Sequence, residues 1–163
     1  MSQRRILITG APGGLGMALM REALKRGHAV RATGRSQSAG GALKSLGAQF
    51  VRVDLTHPET ELRELLKDVD SVIHAAALSA SWGPRRAFEI HNIQLTERVL
   101  EAASRSGVGR FVFVSSPSIF AAYRDRIAIG EHDGPALQPL NHYARTKLAA
   151  ERSVLAPRED AMA

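Results

Sequence analysis

Tyr143 and Lys147 stand four residues apart in a stretch, Asn141 to Val154, whose pattern predicts a helix, and that spacing puts both side chains on one face. A phenol with an ordinary pKa near 10 is a poor base at neutral pH. A neighbouring ammonium favours the phenolate, each unit of lowering being worth about 1.4 kcal/mol. Such a pair could move a proton to or from an oxygen, although most Tyr and Lys four apart are only surface neighbours. The pair gains weight from its context: the helix follows an apolar strand, Arg110 to Ser116, that ends in two hydroxyls, Ser115 and Ser116.

The second constellation opens the chain. Ile6 to Ile8 reads as a buried strand that breaks into Thr9-Gly10-Ala11-Pro12-Gly13-Gly14-Leu15-Gly16, and helical spacing follows through Ala18, Leu19, Ala23 and Leu24. Gly10 allows a sharp turn off the strand. Gly13 lets backbone approach a pyrophosphate, and Gly16 lets the helix pack closely on the sheet. The helix start then offers unpaired N–H groups to an anion. A glycine triplet in isolation is an ordinary turn as often as a nucleotide site; its placement between strand and helix favours the nucleotide. No Gly-Lys-Ser/Thr follows, so a Walker A triphosphate loop is not supported.

These residues must be positioned by a sheet. Ala29 to Thr33 predicts a second strand, Gln49 to Asp54 a third, Asp70 to Ala77 a fourth and Arg110 to Ser116 a fifth. Helical patterns cover Glu59 to Lys67 and Phe88 to Ser104, Gln37 to Gly47 reads as a loop with a short helix, and a long loop runs from Pro117 to Pro139. Strands alternating with helices give a parallel, doubly wound α/β sheet with expected strand order 3-2-1-4-5 and a ligand over the carboxyl ends of the strands.

Composition narrows the classes. The 163 residues suit one domain, residues 1–163, and the 44% apolar and 23% charged fractions are ordinary for a globular protein. Without cysteine there is no disulfide or thiolate chemistry. No run reaches a membrane span or a signal-peptide core, so the expected location is cytoplasmic. The formal charge of +6 is spread along the chain and aromatics make up only 5%, which argues against nucleic acid as a partner. The six histidines, His28, His57, His74, His91, His132 and His142, show no ligand spacing, and no metal is expected.

With these motifs in order, the chain resembles the extended short-chain dehydrogenase/reductases, the NAD(P)-dependent epimerase/dehydratase and 3β-hydroxysteroid dehydrogenase-like enzymes. The resemblance spans essentially all 163 residues and rests on Thr9 to Gly16, Asp54-Leu55, Val72 to Ala77, Asn92, Phe111 to Ser116, and Tyr143 to Lys147. It implies a Rossmann-like fold and a catalytic set of Ser116, Tyr143 and Lys147. Ser116 would hold the substrate oxygen, with Ser115 as its neighbouring alternative; Tyr143 would move the proton, and Lys147 would lower the Tyr143 pKa and hold the nicotinamide ribose. The cofactor would lie against Gly10, Pro12, Gly13, Gly14, Leu15 and Gly16, with Asp54 and Leu55 at the adenine and Ala75, Ala76 and Ala77 beneath it. Asn92 is expected to be structural. The family often forms homodimers, and the partner the resemblance implies is a small-molecule substrate.

NAD sites of this fold place an acid at the end of the second strand; here Gly34 stands there, followed by Arg35, with Arg31 a further cation on the strand, so NADP is favoured over NAD. Family dehydratases carry Asp-Glu after the catalytic hydroxyl residue. This chain has Pro117-Ser118, which argues against dehydration. Leu78 to Pro84 is similar to the Trp-Gly loop of steroid-dehydrogenase-like and 3-oxo-acyl reductase members, with Trp82 either bordering the substrate pocket or packing on a helix. Tyr123 and Glu131-His132-Asp133 fall in the loop that would cover substrate. The expected activity is interconversion of a carbonyl and a secondary alcohol on a sterol-like or 3-oxo-acyl substrate. The alternatives are a nucleotide-sugar epimerase with tightly bound NAD and a non-catalytic NADP-binding sensor or scaffold. The chain ends where a sixth strand would begin, so the C-terminal strands and substrate region are expected to lie in a chain roughly twice as long.

Overall fold

The structure, a computed structural model, describes residues 2–123 and 127–157. Five parallel strands, β1 (Arg5–Thr9), β2 (Ala29–Gly34), β3 (Gln49–Arg52), β4 (Ser71–His74) and β5 (Arg110–Phe113), form one sheet in the order β3-β2-β1-β4-β5. The order reverses at β1, which pairs Ile8 with Ala32 of β2 on one side and with Ile73 of β4 on the other.

Strand alternation divides the core. Leu7 points into a cluster with Leu62, Leu65, Leu66, Val72 and Val99, while Ile6 and Ile8 point the other way, into one with Met20, Ala23, Val30 and Leu43. The first cluster is covered by α3 (Leu62–Leu66) and α5 (Leu95–Arg105), and the second by α1 (Gly14–Lys25) and α2 (Gln37–Ser45). Each of these large side chains contributes about 1.5–3 kcal/mol by leaving water.

Several boundaries differ from the sequence expectation. The segment after β2 is a nine-residue helix, because Ser36 caps it by accepting from the Ala39 N–H and Gly40 fits where a Cβ would strike the Phe50 ring. β4 and β5 stop at His74 and Phe113, leaving Ala75 to Ala77 and Val114 to Ser116 outside the strands, with the Val114 N–H still donating to the His74 carbonyl at 3.1 Å. The charged helix expected from Glu59 shrinks to α3. The helix expected from Phe88 starts three residues earlier as α4 (Arg85–Phe88), and passes through a π-helical turn, Glu89–Gln94, into α5. The long loop carries 3-10 turns at Pro117–Phe120 and Glu131–Asp133, and α6 (His142–Leu155) follows, capped by Asn141 accepting from the Ala144 N–H at 2.8 Å.

Arg31 does not serve as a cation toward the ligand side. Its buried guanidinium donates to Gln49 Oε1 at 3.0 Å and to the carbonyls of Leu65 and Lys67 at 2.6 and 3.0 Å, tying β2 to β3 and to the end of α3. Burial lowers its pKa, and the carbonyls it meets are the ones a helix C-terminus leaves unpaired.

Candidate functional site

The carboxyl ends of all five strands open into one cleft of about 970 Å³. It brings together Gly10, Pro12, Gly13, Gly14, Leu15, Gly16, Arg35, Asp54, Leu55, Ala75, Ala76, Ala77, Ser116, Tyr143 and Lys147. Residues drawn from positions 10 to 147 thus share one wall-to-wall space.

The glycine corner is sterically required. Gly10 has φ +67°, and a Cβ there would lie 2.8 Å from Ala76 Cα. At Gly16 a Cβ would run into the Gly10 carbonyl and Ala11 Cα, so the first turn of α1 rests directly on the corner. α1 begins after Gly13 with no side-chain cap and no acid in its first turn. The N–H groups of Gly14, Leu15 and Gly16 precede the first intrahelical partner, and the space beside Gly14 is open for at least 4 Å. This end of the cleft is a cradle for an anion.

A buried hydrogen-bond chain sets the opposing floor. Thr96 Oγ1 donates to the Asn92 carbonyl at 2.7 Å, so it accepts from His74 Nε2 at 3.1 Å; Thr9 Oγ1 then donates to His74 Nδ1 at 2.8 Å and accepts from the Ala76 N–H at 3.1 Å. That pattern assigns a neutral imidazole protonated on Nε2. Burial, with Lys147 adding to it, pushes the His74 pKa down to about 3.

Asn92 does the same for the end of the cleft that holds Tyr143 and Lys147. Its Oδ1 accepts from the Leu78 N–H at 2.7 Å, and its Nδ2 donates to Thr146 Oγ1 at 3.0 Å and to the Leu78 carbonyl at 3.3 Å. One buried amide therefore couples the chain leaving β4 to the turn of α6 that holds Tyr143 and Lys147. The π turn that carries Asn92 is the kind of helix irregularity that recurs at functional sites.

The Lys147 ammonium donates to the Val114 carbonyl at 2.5 Å and lies 3.8 Å from the Phe113 ring centroid. Burial lowers its pKa to about 8, with Glu151 opposing. Two of its three protons remain for a ligand. Ser116 Oγ accepts from the Ser118 N–H at 3.3 Å and shares a hydrogen bond of 2.9 Å with Ser118 Oγ. Ser115 Oγ and Thr33 Oγ1, both on the cleft, are buried and have no partner among the described residues.

At the other end, Asp54 Oδ1 accepts from Thr56 Oγ1 at 2.6 Å and from the Thr56 N–H at 2.9 Å. These bonds, with Arg35 nearby, hold its carboxyl below the usual range. Asp54 both forms a turn and faces the cleft. Arg35 is exposed on the rim, and a Cβ at Gly34 would collide with the Pro12 ring, so a side chain at position 34 requires that ring to move.

Trp82 is 87% exposed and neither lines the cleft nor packs on a helix. Tyr123 is exposed, its hydroxyl 3.5 Å from the Leu140 carbonyl. Sequence reasoning missed Thr9, Thr96 and Thr146, whose hydroxyls have partners distant in sequence, and Arg98, discussed below. Among the described residues no group of three His, Cys, Asp or Glu side chains converges, and no helix is long and apolar enough to cross a membrane.

Residues 6–162 match the family model described as the NAD dependent epimerase/dehydratase family. The chain belongs to that family. Among curated members it is 34% identical to a 2-alkyl-3-oxoalkanoate reductase of Stenotrophomonas maltophilia, covering 98% of this chain and 48% of that protein. It is also 34% identical to a 3 beta-hydroxysteroid dehydrogenase/Delta 5-->4-isomerase of Mycobacterium tuberculosis, covering 93% and 42%. Among solved family structures, MoeE5 in complex with UDP-glucuronic acid and NAD superposes with a TM-score of 0.83 at 35% identity, over 97% of this chain and 51% of that one. The chain thus spans about half the length of the relatives it matches.

Proposed function

We propose that the cleft binds a nicotinamide dinucleotide and that the protein interconverts a carbonyl and a secondary alcohol. The observation that carries this is the convergence, on one cleft, of the glycine corner with Tyr143, Lys147 and Ser116. The fit to a dinucleotide rests on the open cradle at Gly14, the uncapped start of α1 and the unpartnered Ser115 and Thr33 hydroxyls. The corner would hold the pyrophosphate, Asp54 and Leu55 the adenine, and Lys147 the nicotinamide ribose. When bound, the nicotinamide supplies or takes up the hydride.

The chain's own residues do the rest. Ser116 accepts from the Ser118 amide and, with Ser118 Oγ as the donor between the two hydroxyls, keeps its proton for the substrate oxygen. Tyr143 gives that oxygen its proton in reduction and takes it back in oxidation. Donors fixed by Asn141, Asn92 and the 3-10 turn stabilise the developing alkoxide without reorganising.

NADP is the preferred coenzyme in this reading, supported by Arg35 on the rim and by the Pro12 ring standing where a side chain at position 34 would go. The substrate is a hydrophobic ketone or alcohol, sterol-like or 3-oxo-acyl, in line with the reductase and steroid dehydrogenase relatives. A second reading, nucleotide-sugar epimerisation with retained NAD, is favoured by the UDP-sugar complex of MoeE5. Turnover of a 3-oxo-acyl and steroid ketone panel with NADPH and NADH, beside UDP-glucose and UDP-glucuronic acid, separates the two. Ketone reduction lost in Tyr143→Phe supports the first; sugar interconversion with co-purified NAD supports the second. Coenzyme binding with turnover of neither class identifies a non-catalytic module.

A further inference from the structure

Arg98 sits on α5, one turn beyond Leu95, which lines the cleft. Its guanidinium reaches back 40 to 43 residues in sequence, to the irregular segment between β3 and α3. Nη1 donates to the carbonyls of Leu55 at 2.9 Å and His57 at 3.0 Å, and Nη2 to that of Pro58 at 3.1 Å. Three carbonyls converge on one planar fork, an arrangement that a flexible point charge does not reproduce.

The segment already shapes itself. Asp54 Oδ1 accepts twice from Thr56, Thr60 Oγ1 donates to the Asp54 carbonyl at 2.7 Å, and the Thr60 N–H donates to the His57 carbonyl at 3.1 Å. Those bonds define the turn but not where it stands against the helices. Arg98 supplies a polar link to α5, beside the burial of Leu55 in the core cluster it shares with Leu95 and Val99.

We propose that Arg98 is a positioning residue for the adenosine half of the bound coenzyme, holding the Asp54 to Pro58 turn at a fixed distance from α5. The inference rests on the dinucleotide reading of the cleft. It explains why a turn with no regular structure can form one wall of a binding site. The carbonyls involved are partly solvent-exposed, so water can replace the guanidinium in its absence; the loss falls on placement more than on stability.

Arg98→Met keeps the aliphatic stem and removes the fork, and Arg98→Lys restores a single donor head. Coenzyme affinity is read by NADPH and NADH fluorescence titration, and the two halves are read separately with ADP-ribose and nicotinamide mononucleotide by calorimetry. Amide hydrogen exchange follows Thr56, His57 and Thr60. The expected result is about tenfold weaker binding of the dinucleotide and of ADP-ribose to Arg98→Met. Nicotinamide mononucleotide should bind as before, Arg98→Lys should fall between, and exchange should quicken in the turn but not in β1. Equal ADP-ribose affinity in wild type and Arg98→Met overturns the proposal, as does an equal loss for both halves. A wild type that binds neither coenzyme instead removes the dinucleotide reading. The clamp itself then stands or falls on whether exchange in the turn quickens in either variant.

Discussion

The Lys147 ammonium rests 3.8 Å above the Phe113 ring, and the His74 imidazole stacks on the same ring at 6.1 Å between centroids. A cation on the cleft and a neutral base in the core thus share one aromatic side chain at the end of β5. Each group's protonation disfavours the other's, and burial lowers both pKa values. Two pH windows of stability follow, at opposite ends of the scale.

For Lys147 the folded pKa of about 8 lies below the ordinary 10.5. Between those values the unfolded chain holds the proton that the folded chain has released. Stability therefore rises as pH climbs from about 8 to 10.5, by roughly 3 kcal/mol if the whole shift is expressed, and is constant below that window. Urea unfolding of wild type and Lys147→Met at pH 7.5 and pH 10 checks this. The difference between the two proteins should move toward wild type at the higher pH; the same difference at both contradicts it.

For His74 the folded pKa of about 3 lies below the ordinary 6.5. The unfolded chain takes up the proton first, so stability falls as pH drops through 6.5 and continues to fall toward 3, by about 1.4 kcal/mol per unit at most. Nitrogen-15 spectra should show His74 as the Nε2–H tautomer, unchanged from pH 8 to pH 4.5. An imidazole titrating near 6.5 in the folded protein would refute the hydrogen-bond assignment.

The glycine corner separates folding from binding. Gly16→Ala places a methyl against the Gly10 carbonyl and Ala11 and should destabilise by about 1–3 kcal/mol. Gly14→Ala meets no protein atom within 4 Å and should leave stability unchanged or raise it by a few tenths of a kcal/mol. Coenzyme titration should show Gly14→Ala binding at least several-fold more weakly, because its methyl enters the space assigned to the pyrophosphate. Thermal melts and titrations of the two variants in parallel test both halves.

The strands and the glycine corner were legible from short-range rules and the strand order from the doubly wound pattern, whereas Ser116, Asp54, Leu55 and Ala75 to Ala77 were placed only by the family resemblance. Alternation at Ile6, Leu7 and Ile8 assigns one side chain to each face, and glycines at 10, 13 and 16 mark a turn that backbone sterics confirm at Gly10 and Gly16. The helix at Gln37–Ser45 was less legible, since its two glycines oppose helix propensity and its support comes from Phe50 on β3. Arg31 misled for a related reason. A charged residue on a strand that leads into the cleft reads as a further cation for a ligand, and only the path of α3 shows which carbonyls it meets. Thr9, Thr96, Thr146 and Arg98 were silent because their partners lie 22 to 67 residues away in sequence.

Asn92 lies on the boundary between structure and catalysis, and its replacement distinguishes the two. Asn92→Leu keeps the branched shape but leaves the Leu78 N–H and Thr146 hydroxyl without their present partner, in a site where Asn92 is 1% exposed. The cost in stability should be about 1–3 kcal/mol. Thr146 Oγ1 also reaches the carbonyls of His142 at 2.8 Å and Tyr143 at 3.1 Å, so it can turn inward along α6 once the amide is gone. Tyr143 and Lys147 then keep their helix but lose its tie to the chain leaving β4. Because the glycine corner is held by separate contacts, coenzyme affinity should change by less than about threefold while turnover falls by ten- to a hundredfold. Thr146→Val, which removes the same link from the other side, should lower turnover in the same direction with less effect on stability. Parallel measurement of Kd for coenzyme and kcat on the identified substrate decides it. An equal fall in both quantities would mean that Asn92 supports the cleft as a whole and has no particular hold on the helix that carries Tyr143 and Lys147.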